Sequence, residues 1–307
     1  MSGSFYSSDT PESCLAELQT RLAPAMEAQS FEDLDAACDW IDAQSASPFS
    51  KAGLETALWD LEARRRGVPL HRLLGASKDH CESGLAVGLY DDTRDLLKAI
   101  EHYLPEGYKR VKIKICPGHD VELVRAVRKE FGDIPLMTDA NASYTLADIE
   151  IYKQLDDFGL LMYEQPLAGG ALEDSAILQS QLRTSICLDE SLETLNDLER
   201  AAALGSFRIA NIKIQRVGGL RNALRIYDRA RELGLSIWVG TMPELGIGCL
   251  HGAALSALEG CNYPTDVEAS TRWFKGDIID PALLAVRDGV IDLSRHSGYA
   301  VTYDRWT

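Results

Sequence analysis

The sequence has no Cys-x-x-Cys pair, no surplus of basic charge and no apolar run long enough to span a bilayer. Each absence excludes something. Its seven cysteines (Cys14, Cys38, Cys81, Cys116, Cys187, Cys249, Cys261) are odd in number and irregularly spaced. That pattern suits reduced thiols in a cytosol better than a disulfide framework. Lys+Arg number 31 against 47 Asp+Glu, a net charge of −16. A nucleic-acid binder carries a basic stripe, and an anionic membrane would repel such a chain. The longest apolar candidate, Leu245 to Leu258, is short and interrupted by His251 and glycines. No basic and apolar leader opens the chain, so no signal peptide is visible. What remains is ordinary globular usage, 46% hydrophobic and 25% charged. The expectation is a soluble, cytoplasmic protein with a small-molecule partner, no nucleic acid and no membrane. Homo-oligomerisation is left open.

The chain divides into three parts. Residues 1–83 are mostly helical. Thr10-Pro11 caps a first helix, Ser30 caps a second with the stripe Phe31, Leu34, Cys38 and Ile41, and a third runs from Pro48 to Arg66 with Gly67 as its stop. From 84 to 280, apolar runs alternate with amphipathic stretches. The runs begin at Leu85, Val111, Ile134, Leu160, Ile186, Ile209 and Leu235, with a weaker eighth near Cys261–Val267. Strand and helix in turn give parallel units, and eight strands favour a closed barrel over an open sheet. No Gly-x-Gly-x-x-Gly follows the first strand, which supports that choice. Gly246-x-Gly248 opens a late helix and could cradle an anion, a weak signal alone. Residues 281–307 carry two short strand candidates, Val290–Leu293 and Tyr299–Tyr303, with no evident strand partners in the helical opening.

Barrel chemistry gathers at the C-terminal ends of the strands. There the sequence has Lys112 and Lys114, then Asp139, Glu164 and Asp189, then Lys213. The three acids stand 25 residues apart, one strand–helix unit each. Alternation turns Lys112 and Lys114 to one face, Cys187 with Asp189, and Asn211 with Lys213. All six charged groups are thus expected at one mouth. Three carboxylates without His or Cys make a hard oxygen site that suits Mg²⁺ rather than zinc. Burying them together without a cation is costly or forces proton uptake. The plainer alternative is that each acid caps its own loop and each lysine makes a structural ion pair. Beside a divalent cation and a second ammonium, the pKa of Lys114 is expected to fall from about 10.4 toward neutrality.

Lys112-Ile-Lys114, Asp139-Ala-Asn141, Glu164-Gln-Pro166, Asp189-Glu190-Ser191 and Lys213 together resemble the enolase superfamily, muconate-lactonizing subgroup. Finer strings narrow the likeness. Leu54-Glu-Thr-Ala-Leu-Trp-Asp60, Asn211 to Gly219, Gly240-Thr-Met-Pro-Glu244 to Gly248, and Pro264 to Trp273 are similar to the o-succinylbenzoate synthase and N-acylamino acid racemase family. The resemblance covers roughly residues 5–300. It implies an α/β fold of modified TIM-barrel, (β/α)7β type, with an α+β capping domain. This chain starts just past the cap's first strands and mobile loop, so a partial cap lacking its N-terminal strands is expected. On that reading residues 1–83 are the partial cap, 84–280 the barrel, and 281–307 a segment returning to the cap.

The resemblance also implies roles. Lys114 takes the proton α to a substrate carboxylate, and Lys213 steadies the resulting anion or acts as a second base. Asp139, Glu164 and Asp189 hold Mg²⁺, for which Mn²⁺ can substitute. Lys112 supports the site electrostatically, Asn141 and Glu190 orient its groups, and Gly240, Met242 and Glu244 border the substrate or steady its contacts. The implied activity is metal-dependent dehydration of a cyclohexadiene carboxylate to 2-succinylbenzoate, in menaquinone biosynthesis. Two alternatives stand beside it: racemisation or epimerisation of N-acylamino acids or dipeptides, and a non-catalytic barrel, which the reduced cap suggests. Thr241, Pro243 and Cys249-Leu-His251 depart from the family pattern and bear on substrate preference.

Overall fold

The computed structural model of the chain describes residues 9–294. Five α-helices open it, the first two joined by a π-helical turn (Leu18–Leu22): α1 (Pro11–Glu17), α2 (Ala23–Glu27), α3 (Leu34–Asp42), α4 (Pro48–Arg66) and α5 (Leu70–Leu73). Thr10 caps α1 as expected, its hydroxyl accepting from Ser13 N–H at 3.1 Å. The cap of α3 is Asp33 and not Ser30. Asp33 Oδ1 accepts from Ala36 N–H at 2.9 Å, so the helix starts later and Phe31 lies outside it. Helix α4 ends at Gly67, whose φ of 67° continues the backbone left-handed.

Strands and helices then alternate. The order is β1 (His80–Glu82), β2 (Leu85–Val87), α6 (Thr93–Tyr103), β3 (Val111–Lys114), α7 (Val121–Phe131) and β4 (Leu136–Asp139). It continues with α8 (Ile149–Leu155), β5 (Tyr163–Glu164), α9 (Leu172–Gln181), β6 (Ile186–Leu188), α10 (Leu195–Leu204) and β7 (Ile209–Ile212). Next come α11 (Leu220–Glu232), β8 (Ser236–Val239) and α12 (Gly246–Ser256). Strands β2 to β8 form one parallel sheet in sequence order. The eighth position is filled by 261–267, which closes the ring through backbone bonds. Asn262 N–H donates to the Ile237 carbonyl at 2.9 Å, and Gly84 N–H to the Thr265 carbonyl at 2.8 Å. Parity then sorts the side chains. Met137, Met162, Cys187, Ile209 and Trp238 fill the barrel interior, while neighbours such as Leu136, Ile186 and Leu188 pack outward in the layer shared with the helices.

The chain's late strand is not isolated. Strand β10 (Val290–Asp292) lies between β9 (Val286–Arg287) and β1, antiparallel to both, and Ile291 and Leu293 are buried. The hairpin turns on Asp288-Gly289, both at positive φ, so one partner of Val290 lies just before it in the chain. The other expected strand, Tyr299–Tyr303, lies outside the described residues. The anion cradle expected at Gly246-x-Gly248 is filled by the chain itself. Gly246 N–H donates to both Asp277 carboxylate oxygens, at 3.1 and 3.0 Å.

His251, on α12, has its imidazole pushed down to about 4 by burial. In the unfolded chain it takes up a proton near 6.5. Its contribution to stability is therefore complete above pH 6.5 and declines toward pH 4, by roughly 3 kcal/mol in all. Melting temperatures of wild type and His251→Asn at pH 7 and pH 5 check this. The variant should lose part of the acid-induced drop, and an identical drop in both would refute it.

Candidate active site

The barrel's parallel register places the charged ends side by side. Lys114 is paired with Asp139 and Asp139 with Glu164, while Asp189 lies two residues beyond Cys187, the partner of Glu164. All three carboxylates are buried. Lys114 Nζ donates to Asp139 Oδ2 at 2.5 Å and to Asn141 Oδ1 at 2.5 Å. Asn141 passes the contact on, donating from Nδ2 to Glu190 Oε1 at 3.0 Å. Lys112 Nζ stands 3.1 Å from Glu164 and 3.7 Å from Asp139. Across the mouth, Lys213 Nζ donates to Asp189 Oδ2 at 2.8 Å. The expected six groups are thus brought together.

Residues without an expected role complete the ring. Asn211 Nδ2 donates to Glu164 Oε1 at 3.0 Å and to Asp189 Oδ1 at 3.1 Å, so one amide ties two acids together. Arg216 reaches Asp189 from the turn after β7. Asp266, on the closing segment, sits between Lys112 and Arg110. Gln165 Oε1 accepts from the backbone N–H groups of Asp189 and Ser191 at 2.8 and 3.1 Å. Asn211 was legible as an inward residue by alternation. Arg216 lies in a turn where no period applies, and no local signal marks it.

Charge at the site is unevenly shared. Burial, reinforced by the Asp139 charge, holds the Glu164 carboxyl well above its ordinary range. Burial acts the same way on Asp189, but Arg216 and Lys213 override it and hold that group low. Burial and the neighbouring Asp189 push Glu190 up to about 7. Without a cation between them, Asp139 faces the Lys114 ammonium directly. Burial opposes its charge, yet Asp139 outweighs burial and keeps the ammonium above its ordinary value. Backbone strain is concentrated here too: Asn141, Ala142 and Gln165 have φ of 41°, 62° and 36°.

Among the described residues, no three His, Cys, Asp or Glu side chains are gathered around one point for a metal. Each carboxylate instead faces an ammonium or guanidinium group. The donor set nonetheless fits a hard divalent cation. Asp139, Glu164 and Asp189 offer only oxygens, are linked by Lys112 and Asn211, and leave Glu164 at a raised pKa beside two further acids.

Lys112, Lys114, Asp139, Lys213 and Met242 line the cleft above the ring. Beside it Val87, Leu89, Ile115 and Trp273 border an apolar cavity of about 460 Å³ that shares Lys114 as a wall. Glu244 accepts from Gln215, and burial pushes its carboxyl up to about 8. Gly240 leaves room for the lysine. A Cβ there would lie 2.4 Å from Asn211 Oδ1 and 2.9 Å from Lys213 Cε. Gly240→Ala is therefore expected to displace Lys213 and lower kcat/KM by about 100-fold. A variant retaining more than half of wild-type activity would show that Lys213 tolerates displacement.

A closed parallel barrel with acids at the ends of three successive strands and lysines on either side is an architecture of the enolase superfamily. Two family descriptions match the chain: "Enolase C-terminal domain-like" over residues 95–307, and "Mandelate racemase / muconate lactonizing enzyme, N-terminal domain" over residues 2–75. The chain belongs to the enolase superfamily, in its o-succinylbenzoate synthase and N-succinylamino acid racemase family. It is 43% identical over 304 residues to the o-succinylbenzoate synthase of Geobacillus stearothermophilus, spanning 99% of this chain and 81% of that one. It is 40% identical to the N-succinylamino acid racemase of Thermus thermophilus over 83% of this chain and 69% of the relative. A crystal structure of an enolase-superfamily member from Listeria innocua superposes with a TM-score of 0.89 at 33% identity, covering 97% and 81% of the two chains.

Proposed function

We propose that this chain is an o-succinylbenzoate synthase. It would convert 2-succinyl-6-hydroxy-2,4-cyclohexadiene-1-carboxylate to 2-succinylbenzoate and water, in menaquinone biosynthesis. The observation that carries the reading is the pair of amines, Lys114 and Lys213, on opposite sides of one ring of acids. The identity to the Geobacillus synthase over almost the whole chain supports it.

Held by Asp139, Glu164 and Asp189, a Mg²⁺ ion (or Mn²⁺) would offset the charge that develops on the substrate carboxylate and lower the pKa of Lys114. Lys114 in its amine form takes the α-proton, leaving an enediolate. As an ammonium, the same group returns that proton to the departing hydroxyl on the same face. The C–O bond breaks, the ring becomes aromatic and water leaves. Lys213 remains an ammonium and stabilises the anion from the other face. Lys112 adds positive charge beneath the carboxylate. Asn141 keeps Lys114 aimed, with Glu190 behind it, and Met242 and Trp273 enclose the apolar part of the substrate. We assign the protein to the cytoplasm, consistent with seven free thiols. Among the described residues no helix is long and apolar enough to cross a membrane.

Incubating purified protein and Mg²⁺ with the diene tests the proposal. Loss of substrate with stoichiometric 2-succinylbenzoate is expected, and no product would overturn it. A second reading, N-succinylamino acid racemisation, is favoured by the placement of Lys213 as a potential second base and by the Thermus relative. Fast α-proton exchange of an N-succinylamino acid in D₂O, without dehydration of the diene, would establish that reading instead.

A further inference from the structure

The loop between β7 and α11 brings a cluster of groups to the site. Lys213 and Arg216 reach Asp189 from it, and Gln215 donates to Glu244. Its two ends are tied together. Val217 N–H donates to the Lys213 carbonyl at 3.1 Å, and Gly219 N–H to the Ile214 carbonyl at 2.9 Å. The far end is the start of α11, whose cap residue is Gly219, with no side chain to satisfy the first N–H groups.

The missing cap comes from α4. Glu55 Oε1 accepts from the backbone N–H of Arg221 at 2.7 Å and from Trp59 Nε1 at 2.7 Å. Glu55 is only 2% exposed. The fit is close: Gly219 has a φ of +139°, and a Cβ there would fall 1.3 Å from Glu55 Oε2. Further contacts fasten the same spot. Asn222 Nδ2 donates to Asp42 Oδ1 at 3.0 Å and to the Val217 carbonyl at 3.1 Å, joining the helical opening directly to the loop. Arg221 meets Asp39 at 2.6 Å and Arg225 meets Asp42 at 3.1 Å. A carboxylate at a helix N-terminus also gains from the helix dipole.

We propose that Glu55 is a positioning residue for the Lys213 loop, acting from a helix that adds nothing to the ring of acids. Its importance for turnover rests on the proposed reaction; its hold on the loop does not. Without the carboxylate the partly buried Arg221 N–H loses its acceptor, and the end of the loop that fixes the Lys213 backbone is released. Lys213 and Arg216 then leave their alignment on Asp189, which lowers the rate more than it weakens substrate binding.

Glu55→Ala, Glu55→Gln and the control Arg65→Ala, exposed on the same helix, decide the matter. Turnover of the diene is measured alongside backbone amide exchange by mass spectrometry. Glu55→Ala should lower kcat about 10-fold with KM within about two-fold. It should also speed exchange in 213–222 about 10-fold while β3 to β6 keep wild-type protection. Glu55→Gln keeps an acceptor oxygen and should fall between, with exchange about three-fold faster and kcat within about three-fold of wild type. Arg65→Ala should match wild type. Wild-type exchange at 213–222 in folded Glu55→Ala overturns the proposal, as does acceleration spread evenly over the barrel. If Glu55→Ala does not fold, Glu55→Gln decides: a local, intermediate change supports the proposal, and an unchanged or uniform pattern overturns it. Exchange needs no substrate. A wild type inactive on the diene overturns the reaction, while the hold on the loop is still read from exchange.

Discussion

Replacing Lys114 with alanine is expected to lower kcat for dehydration by about 10⁴-fold, near the upper end for loss of a general base. The loss should be this large because one amine serves twice, first taking the α-proton and then returning it to the leaving hydroxyl. No neighbour can substitute. Lys112 is turned inward to Glu164 and Asp266, and Lys213 stands over Asp189 on the other side. The fold should survive, since Lys114 is a partly exposed end of β3 rather than a core residue. Affinity for Mg²⁺ should not fall, because removing an ammonium from Asp139 removes a competitor for that carboxylate. Lys213→Ala separates the two chemistries: partial loss fits dehydration, and loss as deep as that of Lys114→Ala fits racemisation. Turnover of Lys114→Ala within 10-fold of wild type would remove Lys114 from the mechanism.

The second large effect concerns the metal. An excess of chelator is expected to abolish turnover, and added Mg²⁺ to restore it. A readout independent of catalysis is thermal stability. A ligand that binds only the folded state contributes about 2.7 kcal/mol at a hundred times its Kd, which corresponds to a rise of roughly 5 °C for a chain of this size. Glu164→Ala should lose most of that rise while staying folded, since it removes one of three crowded carboxylates along with an oxygen ligand. Undiminished turnover in chelator, together with a melting temperature indifferent to Mg²⁺, would displace the metal from these residues.

The site's legibility followed from the strands. A barrel interior obeys period two, so Lys112, Lys114, Asp189 and Lys213 have a direction legible in the sequence alone. Arg216 has none, because a turn has no period and a long guanidinium side chain reaches a target 27 residues back in sequence. Asp266 was hidden differently: its segment closes the ring by scattered backbone bonds, and its pairing with Lys112 spans 154 residues. The Asp288-Gly289 turn carried a local hairpin signal, but nothing local to Val290 names His80–Glu82 as the other neighbour. The protonation of Lys114 depends on whether Asp139 faces the ammonium or a cation, a competition that spacing does not reveal.

The pairing of Glu82 with Val290 has a consequence for synthesis. These partners are separated by 208 residues, since 290 − 82 = 208. At about 5–20 residues per second, β1 waits roughly 10 to 40 s on the ribosome for its neighbour. The nearby edge at Gly84 waits almost as long, until Thr265 has been made. During that interval both present unpaired backbone groups to any other strand within reach. The acidic composition of the chain, 47 Asp+Glu against 31 Lys+Arg, favours repulsion between copies during that interval.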